Sequence, residues 1–321
     1  MEIRPHNKLG RVGVLMGGAS SERDVSLKSG HAVYDALKGA GIEAVAIDIK
    51  SEDISENIKL LSSQKIDCAF LALHGRFGED GTIQEILDYV KVPYTGSGPL
   101  ASRLSMDKIA SRRILEVYGV PVPAYCVIEK AIYNGNGKFT KSFGFPLVVK
   151  PASGGSSIGL SIVDKEESFH KAIDAAYKFD ETIIIEEFIQ GRELTVGILE
   201  DRALPVIEII PKNRFFDYEA KYQQGLTDYV VPAQIDAACA RKAQDTALRA
   251  HKLLGCFAFS RADIILTKDG TPFILELNSI PGFTPTSLLP KAAHVAGIEF
   301  VDLCLKLIEL AYEKEKSKSN S

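Results

Sequence analysis

Two acidic residues near the C-terminal end of the sequence have a spacing that could hold a metal ion. An Asp-Gly dipeptide at 269–270 lies between two apolar runs, and this pattern predicts a β-hairpin. If the turn centres on the dipeptide, Asp263 pairs with Glu276 and Arg261 pairs with Asn278. Because side chains alternate along a strand, all four then lie on one face of the hairpin.

Two carboxylates directly opposite each other repel, so a cation between them would explain this arrangement. Asp, Glu and Asn provide only oxygen ligands, which suits Mg²⁺ that is held partly by the phosphates of a substrate. The alternative is a solvated polar face on an edge hairpin. Apolar neighbours on both predicted strands favour a covered sheet, and therefore the metal site.

A glycine- and serine-rich segment, residues 152–159, connects two further predicted strands. The strand before it, 145–151, contains Lys150, and the strand after it spans 160–163. The backbone N–H groups and hydroxyls of such a segment can surround phosphate oxygens. It is not a Walker A loop, because no Gly-Lys-Ser/Thr follows and no helix begins there. A flexible hairpin loop is the alternative interpretation.

The N-terminal third of the sequence offers two further candidates, Glu22 and His74. A buried strand at 11–16 leads through glycines into a helix, and Glu22 in its first turn is either a ligand or a residue favoured by the helix dipole. His74 begins the loop 74–81 at the carboxyl end of a strand, where open α/β sheets bind ligands. It contacts substrate or is only a loop histidine.

Strands and helices alternate over residues 1–97, which predicts a doubly wound α/β unit. The whole chain has 321 residues, of which 45% are hydrophobic and 25% charged, as in ordinary soluble globular proteins. A net charge of −4 gives no electrostatic basis for nucleic-acid binding, and no apolar run is long enough to span a membrane. The five cysteines are dispersed, which indicates buried thiols in a reducing cytoplasm.

Eight short motifs span nearly the whole chain. In order they are Gly17-Gly18-x-Ser20-x-Glu22-Arg23, His74-Gly75-x-x-Gly78-Glu79-Asp80-Gly81, Met106-Asp107-Lys108, Lys150-Pro151, Gly155-Ser156-Ser157-x-Gly159, Asp217-Tyr218-Glu219-Ala220-Lys221-Tyr222, Arg261-x-Asp263 and Glu276-x-Asn278-x-x-Pro281-Gly282-x-Thr284. With these motifs in this order, the chain resembles the D-alanine–D-alanine ligases of the ATP-grasp superfamily. Phe283 departs from the family, which more often has Met or Leu there, and we expect it to affect only packing.

The resemblance implies an α/β protein with a three-domain ATP-grasp architecture. Residues 1–97 would form the N-terminal doubly wound substrate domain, and residues 98–189 the central subdomain with the glycine-rich phosphate loop. Residues 190–321 would form the C-terminal subdomain with the metal site. ATP would lie between the second and third domains.

The resemblance also implies which residues bind the nucleotide and its metal. Lys108 and Lys150 resemble the lysines that contact the α- and β-phosphates, and Glu193 resembles the ribose ligand. The complete nucleotide set is Lys108, Lys150, Ser157, Glu186, Glu187, Phe188, Ile189 and Glu193. Asp263, Glu276 and Asn278 would bind Mg²⁺ or Mn²⁺, and we expect two ions.

The remaining residues implied by the resemblance contact the amino-acid substrates or the reacting atoms. Glu22 resembles the acid that holds the ammonium of the first substrate, and Lys221 would reach the transferring phosphate. Ser156 and Tyr222 match residues that close the site by hydrogen bonding. The complete set, with oxyanion donors and second-substrate contacts, is Glu22, His74, Ser156, Lys221, Tyr222, Arg261, the N–H of Gly282, and Ser287.

We therefore expect an enzyme that ligates two D-alanine molecules through an acyl phosphate, with ADP and phosphate released, for peptidoglycan and cell-wall synthesis. The resemblance implies a cytoplasmic homodimer whose partners are ATP and D-alanine. One alternative is a related ligase that uses D-lactate or D-serine as acceptor. Another is a non-catalytic nucleotide-binding module, which the intact set of Arg261, Asp263, Glu276 and Asn278 disfavours, because a binder needs no oxyanion donor.

Overall fold

The structure is a computed structural model that describes residues 9–133, 143–153, 155, 158–212 and 227–319. The strands of these residues are β1 (Val12–Gly17), β2 (Ala44–Ile49), β3 (Cys68–Leu71), β4 (Tyr125–Glu129), β5 (Leu147–Pro151), β6 (Ser161–Val163), β7 (Thr182–Glu187), β8 (Arg192–Leu199), β9 (Arg202–Ala203), β10 (Ile207–Pro211), β11 (Thr227–Val230), β12 (Phe259–Leu266) and β13 (Pro272–Asn278). The α-helices are α1 (Arg23–Gly39), α2 (Ile54–Gln64), α3 (Arg76–Glu79), α4 (Thr82–Tyr89), α5 (Pro99–Met106), α6 (Lys108–Val117), α7 (Phe169–Ala176), α8 (Ala237–Leu253), α9 (Leu288–Val295) and α10 (Phe300–Ser319).

The first three strands form a parallel sheet in the order β2-β1-β3. Side chains of β1 alternate between two cores, because Val12, Val14 and Met16 belong to one and Leu15 to the other. Helices α1 and α10 complete the first core, while α2 and α4 complete the second. Both faces of the sheet are therefore covered, and the predicted doubly wound α/β unit is confirmed.

Helix α1 lies unusually close to this sheet. A Cβ atom at Gly30 would collide with the Met16 side chain, so glycine permits the close approach. The buried Ser26 hydroxyl accepts a hydrogen bond from the N–H of Gly17 at 2.9 Å and donates to the carbonyl of Ala72 at 2.8 Å. These contacts fix the beginning of α1 at the carboxyl ends of β1 and β3.

The second sheet is antiparallel, with strand order β4-β7-β5-β6, and α7 covers one face. On the two central strands Val148 pairs with Glu186, and Lys150 pairs with Ile184. Lys150 and Glu186 are therefore diagonal neighbours on one face of the sheet. That face is opposite the apolar core of Leu147 and its neighbours.

The third sheet has the order β11-β10-β8-β12-β13, with the short β9 paired to β8. Helix α8 packs on it through Ala243, Ala247 and Ala250, small buried residues that recur at helical spacing. Their size lets the helix lie close to β8 and β12. Strands β8 and β12 are paired along their whole length, so the hairpin strand β12 is held on both sides.

The β12–β13 hairpin contains one extra residue. Ile264 pairs with Ile274, whereas the next pair along the strands is Asp263 with Glu276. Leu275 is therefore a β-bulge, the residue that has no partner across the ladder. The predicted pairing of Asp263 with Glu276 is confirmed.

The turn of this hairpin differs from the prediction. Thr267 N–H donates to the carbonyl of Thr271 at 3.0 Å, so the loop spans 267–271 and centres on Asp269. An unbroken ladder from this longer turn would put Leu275 opposite Asp263 and move Glu276 to the other face. The bulge corrects the register by one residue, so the prediction was right about the pairs and wrong about the turn.

Helix α10 returns to the beginning of the chain. It packs against α1 and β3, and Tyr312 donates its hydroxyl to the carbonyl of Leu9 at 2.6 Å. The sequence assigns this helix to the third domain, residues 190–321, yet its apolar side chains complete the core of the first. The three domain boundaries stay predictions.

Candidate active site

Arg261, Asp263, Glu276 and Asn278 lie at the end of the β12–β13 hairpin. Arg261 donates two hydrogen bonds to Asp263, from Nε to Oδ1 at 2.9 Å and from a terminal nitrogen to Oδ2 at 2.8 Å. Thr195 of β8 donates its hydroxyl to Oδ1 of the same carboxylate at 2.7 Å. The buried Asp263 carboxylate is therefore held in one orientation.

The donor set of this hairpin is compatible with a hard divalent cation. The amide nitrogen of Asn278 lies 3.3 Å from Oδ2 of Asp263. Among the described residues, no group of three or more acidic, histidine or cysteine side chains is arranged to hold a metal ion. Asp263 and Glu276 supply two carboxylates and Asn278 an amide oxygen. Such an incomplete, all-oxygen set fits Mg²⁺ that takes its other ligands from phosphate and water.

A cavity of about 670 Å³ lies between the second and third sheets. Lys150 and Glu186 line one wall, and Asp263 and Glu276 line another. Lys108, the first residue of α6, also reaches it. A pocket of this size between two sheets, with opposite charges on its walls, is suited to a nucleotide and its metal.

A buried charge network forms the second-sheet wall of this cavity. Lys150 donates from Nζ to Oε1 of Glu186 at 2.9 Å, and Arg112 of α6 forms an ion pair with Oε2. Burial disfavours the Glu186 carboxylate, but Lys150 and Arg112 together hold its pKa below its usual value. Burial, reinforced by Arg112, lowers the pKa of Lys150 to about 8, although Glu186 opposes this effect. The sequence analysis did not find Arg112.

The segment after Glu186 continues along the cavity wall. Glu187, Phe188, Ile189 and Glu193 all line it, as the resemblance implies. Glu187 accepts a hydrogen bond from the N–H of Ala124 at 2.8 Å, which fixes this segment to the strand before it. All the described members of the predicted nucleotide set are therefore brought to one cavity.

The cavity wall also has a charged pair, Arg192 and Glu208, that no sequence pattern predicted. Arg192 donates two hydrogen bonds to Glu208, at 2.6 and 2.5 Å, and both residues line the cavity. They are adjacent in the third sheet on β8 and β10. Nothing in the sequence joins them, since the pairing of these strands is decided by the sheet.

A second cavity, of about 40 Å³, adjoins the first. Glu22, Gly75 and Glu79 line it from the N-terminal unit, and Asn278 and Ser279 line it from the end of the hairpin. Lys108, Gly155 and Glu276 line both cavities, so these three residues form a shared wall.

Two acids, Glu22 and Glu79, lie close together at the second cavity. Burial, together with the nearby Glu22, raises the pKa of Glu79 to about 8, and Glu276 acts in the same direction. The N–H of Gly75 donates to Glu79 at 2.8 Å and Arg261 is close enough to oppose the shift. Glu79 belongs to one of the motifs, but the sequence analysis gave it no role.

His74 is buried close to Glu22 and lines neither cavity. Burial lowers the pKa of His74 to about 4, although Glu22 favours the charged form, so the ring is neutral at neutral pH. Its Nε2 is 3.1 Å from the hydroxyl of Ser29, and that hydroxyl accepts the N–H of Phe283 at 3.2 Å. His74 also hydrogen-bonds the backbone of Ile280. The structure thus places His74 behind the loop that carries Gly282.

Gly282 and Ser287 lie close together on that loop. A Cβ atom at Gly282 would lie 3.3 Å from the Ser287 hydroxyl, so a side chain there would crowd it. The hydroxyl accepts the N–H of Thr284 at 3.0 Å, and helix α9 begins at the next residue. The N–H of Gly282, the hydroxyl of Ser287 and the beginning of α9 therefore share one corner of the site.

Four predicted site residues lie outside the described residues: Ser156, Ser157, Lys221 and Tyr222. The described residues that flank the glycine-rich segment have defined contacts. Asp180 accepts hydrogen bonds from the N–H of Ser153 at 2.7 Å and from its hydroxyl at 2.6 Å. Phe179, the residue before it, packs against Gly159, where a Cβ would lie 2.7 Å from the ring. The sequence analysis missed both.

Two family models match the chain. The model described as D-ala D-ala ligase C-terminus matches residues 114–309, and that described as D-ala D-ala ligase N-terminus matches residues 52–97. The chain is also 48% identical over 312 residues to a D-alanine–D-alanine ligase of Pelotomaculum thermopropionicum, with 94% of this chain and 97% of that protein covered.

Solved structures give the same result. A D-alanine–D-alanine ligase from Bacillus anthracis complexed with ATP superposes with a TM-score of 0.84 at 34% identity and covers 96% of this chain and 99% of that chain. The VanG D-Ala:D-Ser ligase from Enterococcus faecalis has a TM-score of 0.80 at 29% identity and covers 94% and 99%. Both likenesses extend over the N-terminal unit and the two later sheets.

Proposed function

Because the chain belongs to the D-alanine–D-alanine ligase family and is an ATP-dependent ligase, we propose that its two adjoining cavities divide the reaction between them. The enzyme joins two D-alanine molecules to D-alanyl-D-alanine through an acyl phosphate, as a step in peptidoglycan precursor synthesis. The observation that carries the proposal is the wall of Lys108, Gly155 and Glu276 that the cavities share. A phosphoryl group at this wall is within reach of a substrate in either cavity.

In this proposal the large cavity binds ATP. Lys108 and Lys150 contact the phosphates, Glu186, Glu187, Phe188 and Ile189 surround the adenine, and Glu193 contacts the ribose. Phosphoryl transfer depends mainly on positioning and charge neutralisation, which fixed lysines can supply. Ser157 adds a phosphate contact by resemblance.

We assign the divalent ions to Asp263, Glu276 and Asn278. Their oxygen ligands fit Mg²⁺ or Mn²⁺, and the proposal includes two ions that the nucleotide phosphates help to hold. When bound, such ions neutralise negative charge on the phosphoryl group that is transferred. The two hydrogen bonds from Arg261 keep the Asp263 carboxylate in one orientation beside Glu276, a residue of the wall that the two cavities share.

The small cavity binds the first D-alanine in this proposal. Its ammonium pairs with Glu22, and its carboxylate points to the shared wall, where it attacks the γ-phosphoryl group and ADP leaves. The product is an acyl phosphate. Glu22 lies close to the buried Glu79, whose raised pKa keeps it largely protonated at neutral pH, and an ammonium that enters beside the two acids stabilises their ionised forms.

The second D-alanine then attacks the acyl phosphate with its neutral amine. The tetrahedral oxyanion needs fixed donors, and Arg261 and the N–H of Gly282 are proposed to supply them. Ser287 and the beginning of α9 receive the carboxylate of the second substrate, and as the peptide bond forms phosphate leaves and takes up the proton that the amine loses. His74 holds the loop of Gly282 through Ser29 and so positions the oxyanion donor. Lys221, Ser156 and Tyr222 contribute by resemblance.

Phosphate release is the direct test. With ATP and Mg²⁺, D-alanine should release phosphate and form an equal amount of D-alanyl-D-alanine. D-Serine and D-lactate, measured in parallel with D-alanine as first substrate, test the other acceptors, since a structural relative is named as a D-Ala:D-Ser ligase. A faster mixed product with either would overturn D-alanine as the preferred acceptor. ATP turnover without acceptor dependence would contradict the division between two cavities.

The assembly and the location are proposals as well. No helix in the described residues has the length and apolar character needed to cross a membrane. We propose a homodimer in the cytoplasm, where ATP and peptidoglycan precursors are available. Sedimentation equilibrium at micromolar concentration should give twice the chain mass, and a monomer mass would refute the dimer.

A further inference from the structure

Arg112 is a buried charged residue to which the proposed function assigns no role. It lies on α6, one turn after Lys108, and its side chain is 2% exposed. Unlike Lys108, it does not line either cavity. Its guanidinium lies behind the cavity wall, 5.4 Å from the centre of the Tyr125 ring. A buried guanidinium is costly unless its partners compensate, so those partners indicate its role.

The first partner of Arg112 is Glu186 on β7. One oxygen of Glu186 pairs with Arg112 and the other with Lys150 at 2.9 Å. Two cations therefore hold one carboxylate from two sides. Without Arg112, Lys150 would be the remaining cationic partner of Glu186. The Lys150 ammonium would then be held more closely by Glu186 and would be less able to contact a ligand in the cavity.

The second partner lies on the other wall of the cavity. A terminal nitrogen of Arg112 points to the carbonyl of Leu275 at 3.4 Å. Leu275 is the extra residue of the β13 bulge, the feature that places Glu276 opposite Asp263. A bulge lacks the ladder bonds that fix an ordinary strand residue, so an external donor to its carbonyl helps to determine its conformation.

We propose that Arg112 is a positioning residue that couples the adenine end of the nucleotide cavity to its metal end. One arm of the guanidinium fixes Glu186 and the other supports the bulge before Glu276. A single rigid fork can hold two groups in a defined relation, which the point charge of a lysine cannot. The inference rests on the proposed assignment of nucleotide and metal to this cavity.

The coupling is testable by binding experiments that require no turnover. The variants are Arg112→Met, which removes both arms, and Arg112→Lys, which keeps a charge near Glu186 but cannot span both partners. Arg113→Met is the matched control, because Arg113 is the exposed neighbour on the same helix. Calorimetry with ADP in EDTA measures the adenine end. Electron paramagnetic resonance of Mn²⁺ added to the ADP complex measures the metal end.

Arg112→Met should weaken ADP binding about tenfold, the effect of a lost hydrogen bond to a charged group. It should also weaken Mn²⁺ binding by roughly tenfold or more, the effect of losing a residue that supports a ligand. Arg112→Lys should recover most of the ADP affinity but not the Mn²⁺ affinity. Arg113→Met should match wild type in both measurements.

Two results would overturn the coupling. One is an Arg112→Met protein with a lower melting temperature but wild-type affinities, which would make the residue purely structural. The other is an Arg112→Lys protein that binds Mn²⁺ with wild-type affinity. This second result would overturn the coupling even if the Arg112→Met protein does not fold. Failure of the proposed function is separate, because a wild-type protein that binds neither ADP nor Mn²⁺ refutes the cavity assignment itself.

Discussion

The two adjoining cavities differ in the surroundings of their buried glutamates, and the pKa values of these residues shift in opposite directions. At the wall of the large cavity, Glu186 lies between Lys150 and Arg112, and its pKa stays below the usual value despite burial. In the small cavity, Glu79 lies near Glu22 and has a pKa raised to about 8. On one side of the shared wall the buried carboxylate has two cationic partners within the protein, whereas on the other side the buried carboxyl lies beside a second acid.

This difference indicates what each cavity requires from its ligand. A wall whose charged groups already hold one another is organised before a nucleotide arrives, which makes binding less costly. A cavity with two neighbouring acids favours a cation, because a cation lowers the pKa of the protonated acid, and the ammonium of an amino acid can supply that charge. The four predictions below test this contrast, beginning with the wall that the two cavities share.

The largest effect is expected from Glu276→Gln. This residue lies opposite Asp263 and lines both cavities, and its charge is proposed to hold the metal. Losing that charge should lower kcat by roughly a thousandfold, since metal neutralisation of the phosphoryl group contributes several kcal/mol. Phosphate release at saturating Mg²⁺ measures it.

The fold should survive this change, because Glu276→Gln removes one of several acids that repel each other. Asp269→Asn, in the exposed turn of the same hairpin, is the control and should keep wild-type turnover. Near-wild-type turnover of Glu276→Gln would show that the metal site lies elsewhere.

Glu22→Gln should weaken the binding of the first D-alanine and leave the binding of ATP nearly unchanged. If Glu22 pairs with the ammonium of the first D-alanine, its loss should raise the KM for that substrate between about tenfold and a hundredfold. The KM for ATP should change less than threefold, because Glu22 lines only the small cavity. Asp24→Asn, an exposed acid in the same helical turn, is the control. Equal increases in both KM values would contradict the separation of the cavities.

The protonation of Glu79 should be visible as a pH-dependent stability. Between the usual pKa of 4.5 and the native value of about 8, the folded protein binds more protons than the unfolded chain. Unfolding then releases a proton, so the stabilisation present below pH 4.5 is lost as the pH rises to 8. Glu79→Gln cannot titrate, and its melting temperature relative to wild type should therefore increase from pH 5 to pH 8 and then level off.

Thermal unfolding across this pH range measures the effect, with Glu85→Gln as a control at an exposed glutamate. D-Alanine should also release a proton from Glu79 on binding, because an added ammonium lowers the pKa of a neighbouring carboxyl. Calorimetry in buffers of different ionisation enthalpy detects that release. A difference in melting temperature that does not vary with pH would refute the raised pKa.

The smallest effect is expected from Ser153→Ala on the nucleotide side. This change removes one of two hydrogen bonds to Asp180 and keeps the backbone N–H bond. Losing about 1 kcal/mol should raise the KM for ATP roughly fivefold and leave the KM for D-alanine unchanged. Ser168→Ala, at an exposed serine without a side-chain capping bond, is the control. An unchanged KM for ATP would show that Asp180 does not support the phosphate segment.

The hairpin illustrates how a local pattern can predict a site and still misjudge its construction. The alternation of two placed Arg261, Asp263, Glu276 and Asn278 on one face, and the structure has them there. The same pattern centred the turn on Asp269-Gly270, whereas the turn centres on Asp269, which shifts the pairing near the turn by one residue. The bulge at Leu275 cancels that shift before the strands reach Asp263 and Glu276. A bulge costs little locally and has no strong sequence signal, so only the paired strands reveal it.

Sequence alone determined the first doubly wound unit and the residue pairs of the β12–β13 hairpin, because periodicity and turn signals are contained within a few neighbouring residues. Most of the predicted residues that meet at the cavities were implied by the resemblance to a known family, which the motifs carried. Arg112 had only a weak signal, an arginine one turn after Lys108 on a helix face that also carries Leu115.

Tertiary structure alone decided which buried acids have cationic partners and which lie beside another acid. Glu79 has a raised pKa because it is buried and because Glu22, 57 positions earlier, comes close to it, whereas Glu186 keeps a lowered pKa despite burial because Lys150 and Arg112 lie beside it. Electrostatic interaction depends on distance and burial in space, and neither is set by separation along the chain. Many residues of the two cavities could therefore be named from the sequence and its motifs, whereas Arg192, Glu208 and the protonation states of Glu79 and Glu186 required the fold.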